Sequence, residues 1–299
     1  GGKQGVCNTI LALVNPGDEV IIPAPYWVSY PQMAKLAGAT PVIVRAGFEQ
    51  DFKMTAEQLE AAITPKTKML ILCSPSNPTG SVYSQEELNA LAQVILKHED
   101  IFVLSDEIYE HINYVGKAAS IASYPGMKER TIICNGVSKA YAMTGWRLGW
   151  VAAPAWIVKG INKLQGQYTS GTCDVSQKAA VAAYVASQDC VEQMRVAFER
   201  RRDLIVKLAK DIPGLEVNVP QGAFYLFPKC SSFFGKSDGE TVINNSTDFA
   251  MYILEKAHVA TVGGDAFGDP DCFRMSYATS DDNIREAMRR IKEVLAVLK

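Results

Sequence analysis

The sequence is poor in the residues that build metal and disulfide sites. It has only three histidines among 299 residues, and none stands at metal-ligand spacing from another histidine or a cysteine. Its seven cysteines are an odd number without a Cys-x-x-Cys pair, which argues against a disulfide framework. We therefore expect no metal site, and a chain that works in the reducing cytoplasm.

The chain also lacks a strong charge of either sign and any long apolar run. The net charge is -2, so a basic face for nucleic acid or an anionic membrane surface is not expected. No run is long enough to span a bilayer, and no charged segment followed by an apolar one marks a leader. With 48% hydrophobic and 21% charged residues, the composition fits a soluble globular protein with room for two packed domains.

Short apolar runs alternate with helical patterns over the first two thirds of the chain, which predicts an α/β fold with a mostly parallel sheet flanked by helices. The predicted strands are residues 19–22, 40–44, 68–73, 101–105, 131–134 and 150–153. Predicted helices cover residues 5–14, about 55–63, 84–97, 155–168, 175–186 and 190–209, and a further one ends at Leu36. Ser84 and Glu87 have the spacing of a capping box.

Beyond Pro213-Gly214 the pattern changes to a smaller α+β unit. Strands are predicted at residues 223–227, 259–262 and 273–277, with a helix at 247–256 and a C-terminal helix capped by Ser280. We place the domain boundary inside the long helix. This divides the chain into a large domain of residues 1–195 and a small C-terminal domain of residues 196–299.

Three of the predicted parallel strands are followed by polar residues whose side chains can take part in catalysis or ligand binding. Asn77 follows the third strand within Ser-Pro-Ser-Asn-Pro-Thr-Gly, Asp106 and Tyr109 follow the fourth, and Lys139 follows the fifth. In an open parallel sheet the ligand crevice lies outside the carboxyl ends of the strands. The sequence therefore predicts that these side chains share one cavity.

A lysine at the mouth of a buried strand suggests covalent chemistry, because desolvation lowers the pKa of its amine and makes it a nucleophile. If Lys139 forms a Schiff base with pyridoxal 5'-phosphate, the other residues can hold that cofactor. Asp106 would pair with the ring nitrogen, and Asn77 and Tyr109 would hydrogen-bond the phenolic oxygen. The alternatives are a surface lysine after a strand, a capping aspartate and a turn asparagine.

The remaining parts of such a cofactor also have candidate partners. Trp27 could stack on the ring, although a tryptophan in this position could equally belong to the core. Arg147 and the helix that starts at Gly1-Gly2 could take the phosphate. Two glycines before a helix could also do no more than ease a turn.

Four segments carry a resemblance to a known family. Residues 136–149, Gly-Val-Ser-Lys-Ala-Tyr-Ala-Met-Thr-Gly-Trp-Arg-Leu-Gly, resemble the cofactor-attachment signature of class I aminotransferases of pyridoxal phosphate fold type I. Ser-Pro-x-Asn-Pro-Thr-Gly, Asp106-x-x-Tyr109 and residues 273–278 resemble further family segments. The resemblance implies a fold type I large domain, catalytic roles for Lys139, Asp106 and Tyr109, and an α-carboxylate clamp at Arg274, whose guanidinium can bind a carboxylate with two hydrogen bonds.

Within the family, Gly-Gly-Lys-Gln and Pro-Tyr-Trp-Val-Ser-Tyr are similar to the bacterial aspartate aminotransferase subgroup, which also contains prephenate aminotransferases. The resemblance implies transfer of an amino group from L-aspartate to 2-oxoglutarate in a homodimer. It implies that Lys3 binds the distal substrate carboxylate, that Trp27 and Asn77 also contact substrate, and that Gly2, Lys3, Gln4 and Ser138 join the cofactor site. Lys3 could instead be a solvated residue at a helix start.

Some alternatives stay open. The segment that precedes Gly1 in a typical member would carry an N-terminal arm, substrate-pocket residues and a tyrosine that reaches the neighbouring subunit's phosphate. A prephenate or aromatic aminotransferase, or a β-lyase, could use the same cofactor residues. A chain that binds pyridoxal phosphate without turnover is the alternative of another class.

Overall fold

The computed structural model describes residues 1–299, which form nine α-helices, nine β-strands and several short 3-10 turns. The helices are α1 (Gly2–Leu13), α2 (Ser29–Leu36), α3 (Ala56–Ala62), α4 (Gln85–Ile95), α5 (Ala155–Tyr168), α6 (Asp174–Val185), α7 (Asp189–Lys210), α8 (Ser246–Tyr252) and α9 (Asp281–Leu295). The strands are β1 (Glu19–Ala24), β2 (Thr40–Arg45), β3 (Thr67–Cys73), β4 (Phe102–Asp106), β5 (Thr131–Gly136), β6 (Gly149–Ala152), β7 (Tyr225–Leu226), β8 (Val262–Gly263) and β9 (Phe273–Ser276).

The large sheet has six strands in the order β2-β1-β3-β4-β5-β6. The first five are parallel, and β6 runs antiparallel beside β5. The chain moves outward from β1 to β2, then returns to place β3, β4 and β5 on the other side of β1. The strand order therefore reverses between β1 and β3, where open α/β sheets bind ligands. The predicted α/β fold with a mostly parallel sheet is confirmed.

Helices cover both faces of this sheet, which explains why its strands are nearly continuous apolar runs. On one face, Val20 and Ile71 pack with Ile10 of α1 and Ile157 of α5 in a buried cluster. On the other face, the strands contribute a second buried cluster, packed with Leu59 of α3 and residues of α4. Side chains of one strand alternate between the two clusters, as the pleat of a strand requires.

The second unit is built on a three-stranded antiparallel sheet in the order β7-β9-β8. Its core of 20 buried residues runs from Ile205 to Leu298 and draws on α7, α8 and α9. That core is consistent with a small C-terminal domain, and the boundary after residue 195 stays a prediction. Hydrogen bonds connect the two units, among them Arg274 to Asn77 and Asn218 to Asp51.

The structure confirms some of the predicted helix and strand ends and contradicts others. Ser84 and Glu87 do form a capping box, and Ser280 caps α9. The predicted strand at residues 259–262 is wrong except for its last residue, because only Val262 and Gly263 find a partner, in β9. The helix predicted to residue 256 is α-helical only to Tyr252 and continues as a π-turn to Ala257. None of the helices combines the length and apolar character that crossing a bilayer requires.

Candidate active site

A cavity of about 350 Å³ lies at the carboxyl edge of the large sheet, beside the strand reversal. It is lined by Gly2, Lys3, Trp27, Tyr30, Cys73, Asn77, Asp106, Ile108, Tyr109, Ser138, Lys139, Thr144, Arg147, Tyr225 and Arg274. The ends of β1, β3, β4 and β5 each deliver at least one of these side chains. The second unit adds Tyr225 from β7 and Arg274 from β9, so both sheets build the cavity.

Asp106 is the last residue of β4 and is only 7% exposed. The Tyr30 hydroxyl donates to its Oδ2 at 2.8 Å, and the Ile108 N–H donates to its Oδ1 at 3.3 Å. Burial raises the pKa of Asp106, while the two hydrogen bonds and the nearby Lys139 charge act in the opposite direction. The carboxylate is thus buried, held in one orientation and directed at the cavity.

Lys139 follows β5 and is half-buried against two aromatic rings. Its Nζ lies 5.8 Å from the ring centre of Tyr109 and 5.7 Å from that of Phe224. Burial lowers the pKa of Lys139, as do the positive charges of Arg274 and Arg147, and Asp106 offsets part of the effect. A larger fraction of this amine is therefore neutral than for a surface lysine at the same pH.

Asn77 and Arg274 meet across the two units. Asn77 sits in the rigid loop after β3, where the Gly80 N–H donates to Ser76 O at 3.0 Å. Arg274 Nη1 donates to Asn77 Oδ1 at 2.8 Å. The guanidinium carbon of Arg274 lies 4.6 Å from the ring centre of Tyr225 and 4.7 Å from that of Phe267. The other guanidinium nitrogens of Arg274 have no hydrogen-bond partner in the protein.

Tyr109, the third residue after β4, is 3% exposed. Its Oη lies 2.9 Å from the Oη of Tyr225. Burial raises the pKa of Tyr109 well above its usual value, so this hydroxyl keeps its proton at neutral pH. Tyr109 is thus a neutral hydroxyl at the same end of the cavity as Asn77 and Arg274.

The opposite end of the cavity is suited to an anion. Helix α1 begins at Gly2, and its free N–H groups and dipole favour negative charge. Arg147 stands beside it in the left-handed conformation, with Nη1 donating to Thr144 O at 2.7 Å. A Cβ on Gly149 would overlap the backbone of Gly1 and Gly2. Only glycine at 149 lets β6 approach the helix start this closely.

Trp27 and Lys3 flank the mouth of the cavity, and Ser138 lies beside Lys139 on its wall. Lys3 is exposed, with Nζ 4.7 Å from the Trp27 ring centre. The Trp27 ring meets the Tyr30 ring edge to face at 5.3 Å. A cation over an indole ring is a favourable contact, worth about 0.5–1 kcal/mol at an exposed site.

Gln4 is the exception among the sequence-predicted residues, since its side chain does not line this cavity. Its Nε2 donates to Asn8 Oδ1 at 2.8 Å, one helical turn on, and its backbone N–H donates to Gly1 O at 2.9 Å. Gln4 instead lines an adjoining groove. The helix rotates successive residues by 100°, which places Gln4 about 200° from Gly2 around the axis, on the side of the groove.

The structure adds lining residues that the sequence reasoning missed, namely Tyr30, Cys73, Ile108, Thr144 and Tyr225. Tyr30 is separated from its partner Asp106 by 76 residues, and Tyr225 from Tyr109 by 116. Thr144 had an available signal, because it lies within the segment at residues 136–149. No signal in a single sequence predicts the pairings of Tyr30 with Asp106 and of Tyr225 with Tyr109.

Comparisons with known proteins identify the class of protein to which this fold and this cavity belong. The sequence profile of the family "Aminotransferase class I and II" matches residues 1–291. The chain belongs to this family, whose members use pyridoxal 5'-phosphate, and its relatives are of the aspartate aminotransferase type.

Three relatives show how far the likeness extends. A "bifunctional aspartate aminotransferase and glutamate/aspartate-prephenate aminotransferase" of Petunia hybrida is 50% identical over all of this chain and 64% of its own length. The crystal structure of the aspartate aminotransferase from Rhizobium meliloti has a TM-score of 0.97 at 44% identity, over all of this chain and 76% of that one. The Thermus thermophilus aspartate aminotransferase with maleate has a TM-score of 0.91 at 39% identity, over 98% and 74%. The chain thus spans about two thirds to three quarters of these proteins.

The residues of the cavity fit pyridoxal phosphate in chemical character. An amine with a lowered pKa, a buried carboxylate, an indole ring and a glycine-lined helix start with an arginine match its aldehyde, ring nitrogen, ring face and phosphate. The roles of the individual residues remain proposals.

Proposed function

We propose that this chain transfers the amino group of L-aspartate to 2-oxoglutarate, forming oxaloacetate and L-glutamate with pyridoxal phosphate in the cavity. The observation that carries the proposal is the meeting of Lys139, Asp106 and Arg274 in one cavity. The amine, the buried acid and the carboxylate clamp are the three groups that amino-acid transamination needs. The names of the relatives from Petunia hybrida and Rhizobium meliloti support the choice of aspartate.

In this proposal each part of the cofactor would have a partner among the residues that line the cavity. Asp106 would hold the protonated ring nitrogen, Tyr109 and Asn77 the phenolic oxygen, and Trp27 one face of the ring. The start of α1 at Gly2 and the guanidinium of Arg147 would hold the phosphate, and Ser138 and Thr144 also line the cavity. When bound, pyridoxal phosphate withdraws electrons from the substrate α-carbon and so makes its C–H bond acidic.

Lys139 is the residue that moves the proton. Its neutral Nζ can accept a proton from the substrate α-carbon and donate it again within the same cavity. The lowered pKa of Lys139 keeps a fraction of the amine unprotonated and ready for this role. The hydrogen bonds that Tyr30 and the Ile108 N–H donate to Asp106 favour its carboxylate form, which would hold the proton on the ring nitrogen.

Two cations explain the preference for a dicarboxylic amino acid. Arg274 is held by Asn77 on one side and by two aromatic rings on its faces, so its remaining donors can form a bidentate pair with the α-carboxylate. Lys3, placed over Trp27 at the mouth, would bind the distal carboxylate. A Thermus thermophilus relative was crystallised with maleate, a dicarboxylate, which supports this pairing.

The proposal extends to assembly and location. We propose a homodimer, supported by large apolar side chains that α5 and α6 leave exposed, among them Trp156 at 59% and Val185 at 78%. We propose the cytoplasm as its compartment, supported by seven cysteines that are all free thiols. Sedimentation of the purified chain tests the first proposal, and fractionation of cells that express it tests the second.

The activity test uses the purified chain, pyridoxal phosphate, aspartate and 2-oxoglutarate, with malate dehydrogenase and NADH reporting oxaloacetate. We expect turnover that Lys139→Ala lowers by about 10²- to 10⁴-fold or more, whereas Lys66→Ala, an exposed lysine outside the cavity, leaves it unchanged. Prephenate, phenylalanine and cystathionine are tested in parallel, and prephenate is the favoured second substrate because the Petunia hybrida relative is named for it. Cofactor binding with no turnover of any substrate would refute the proposed function.

A further inference from the structure

Tyr225 is a cavity residue for which the proposed reaction has no role. It lies on β7, which pairs with β9, the strand that carries Arg274. Its side chain is only 7% exposed, yet it lines the cavity together with Lys139 and Asn77. The two ends of this one side chain contact the two halves of the site.

The hydroxyl end of Tyr225 reaches Tyr109, with the two Oη atoms 2.9 Å apart. A phenol has one O–H to donate and lone pairs to accept with. If Tyr109 is to donate to a ligand in the cavity, the shared hydrogen bond must be donated by Tyr225. Burial raises the pKa of both hydroxyls, so each keeps the proton that this chain of donors requires.

The ring of Tyr225 lies against Arg274, whose guanidinium carbon is 4.6 Å from the ring centre. Phe267 contacts the same guanidinium at 4.7 Å, and Asn77 accepts from its Nη1 at 2.8 Å. The ring therefore limits the orientations of a half-buried cation while leaving its other N–H groups free. Cation–π contacts of this kind stabilise a desolvated guanidinium.

We propose that Tyr225 is a positioning residue with two separable functions, its hydroxyl directing the Tyr109 proton into the cavity and its ring aligning Arg274 for the substrate carboxylate. The inference rests on the proposed function, because it needs a ligand oxygen at Tyr109 and a carboxylate at Arg274. It connects the cofactor half of the site, in the large sheet, with the substrate half, in the small sheet. Tyr225 itself takes no proton from the substrate.

The test separates the hydroxyl from the ring. Tyr225→Phe keeps the ring and removes the hydroxyl, and Tyr225→Leu removes both. The control is Tyr252→Phe, which deletes a buried hydroxyl of the second unit that donates to Val294 O, outside the cavity. Each purified apoprotein is titrated with pyridoxal phosphate and with its analogue lacking the ring hydroxyl, followed by quenching of tryptophan fluorescence. The KM and kcat for aspartate are measured with saturating cofactor.

We expect Tyr225→Phe to weaken pyridoxal phosphate binding roughly fivefold, the size of one net hydrogen bond, and to leave binding of the analogue unchanged. The KM for aspartate should stay as in the wild type. Tyr225→Leu should in addition raise that KM by roughly fivefold or more, because Arg274 loses its ring contact. Tyr252→Phe should change none of these values.

Other results overturn the proposal. If Tyr225→Phe weakens the binding of both ligands equally, or fails to fold, the hydroxyl has a structural role only. Wild-type affinity in Tyr225→Phe would refute the hydroxyl function while the proposed reaction stands. A wild-type protein that binds neither ligand would overturn the proposed reaction and this inference together.

Discussion

Replacing Tyr30 with phenylalanine isolates the hydrogen bond that holds Asp106. The Tyr30 hydroxyl donates to Asp106 Oδ2 at 2.8 Å, with Tyr30 2% and Asp106 7% exposed. The substitution removes one oxygen and keeps the ring that fills the space. The carboxylate then retains only the Ile108 N–H, which is 3.3 Å from Oδ1.

The expected loss follows from the charge and burial of the acceptor. A hydrogen bond to a charged group contributes about 1.5–3 kcal/mol, and about 1.4 kcal/mol is a tenfold change in affinity. We therefore expect Tyr30→Phe to weaken pyridoxal phosphate binding about 10- to 100-fold. The Tyr30 hydroxyl also lowers the pKa of Asp106 against the effect of burial, so its loss raises that pKa further. As the pH falls, the variant should lose the carboxylate charge, and with it affinity, at a higher pH than the wild type.

The assay is titration of the apoprotein with pyridoxal phosphate at a series of pH values, followed by tryptophan fluorescence. Tyr83→Phe serves as the control, because it deletes another buried tyrosine hydroxyl, the one that accepts the Met54 N–H outside this cavity. In an Asp106→Asn background, Tyr30→Phe should have little further effect. An unchanged pH profile, or the same loss with and without the Asp106 carboxylate, would refute the reasoning.

Three further predictions follow from other contacts of the cavity. The rate at which Lys139 captures pyridoxal phosphate, measured as borohydride-stable mass at residue 139, should rise with pH and level off below the ordinary lysine pKa of 10.5. Arg274→Gln should shift that profile to higher pH and Asp106→Asn to lower pH, since Arg274 lowers and Asp106 raises the pKa of Lys139; identical profiles would contradict the charge assignment. Arg274→Lys should raise the KM for aspartate by about 10- to 100-fold, because an ammonium cannot make the bidentate pair, with little change in cofactor affinity; an unchanged KM would exclude the clamp. Gly149→Ala should abolish cofactor binding or folding, because its Cβ meets the backbone of Gly1 and Gly2. Gly145→Ala, whose Cβ would have no heavy atom within 4 Å, should be tolerated in thermal melts and cofactor titrations. Equal tolerance of both substitutions would contradict the packing argument.

Much of the large sheet could be predicted because its signals are local. In the strand Thr67–Cys73, residues 69–72 are buried and residues 69–73 form an unbroken apolar run. Sharp stops such as Asn15-Pro16-Gly17 and the loop from Ser74 to Gly80 set the ends of elements within a residue or two. Because parallel strands end on one edge, the placing of Asn77, Asp106 and Lys139 in one cavity followed from topology alone.

The second unit and the partners of the site residues were harder to predict, because their signals are either too short or not local in the sequence. Strands of two residues, such as Tyr225–Leu226, carry too little pattern to be distinguished from loops. Ala223, inside the predicted strand at residues 223–227, has a φ of 55°, which breaks the extended conformation there. The Tyr30–Asp106 and Tyr109–Tyr225 bonds depend on how a helix and a strand pack in three dimensions. The sequence resemblance groups Gln4 with its neighbours at the cofactor site, but its position on α1 places its side chain in the adjoining groove.

The charges around Lys139 show why the cavity needs both sheets. Two arginines lower the pKa of this amine and one carboxylate raises it, and the arginine with the larger effect, Arg274, comes from the small sheet. A carboxylate that pairs with Arg274 offsets the positive charge that Lys139 experiences. The lysine should therefore become a stronger base when a substrate carboxylate arrives than it is in the empty cavity. This coupling requires Arg274 to be held in place before substrate binds, and the contacts with Asn77, Tyr225 and Phe267 do that.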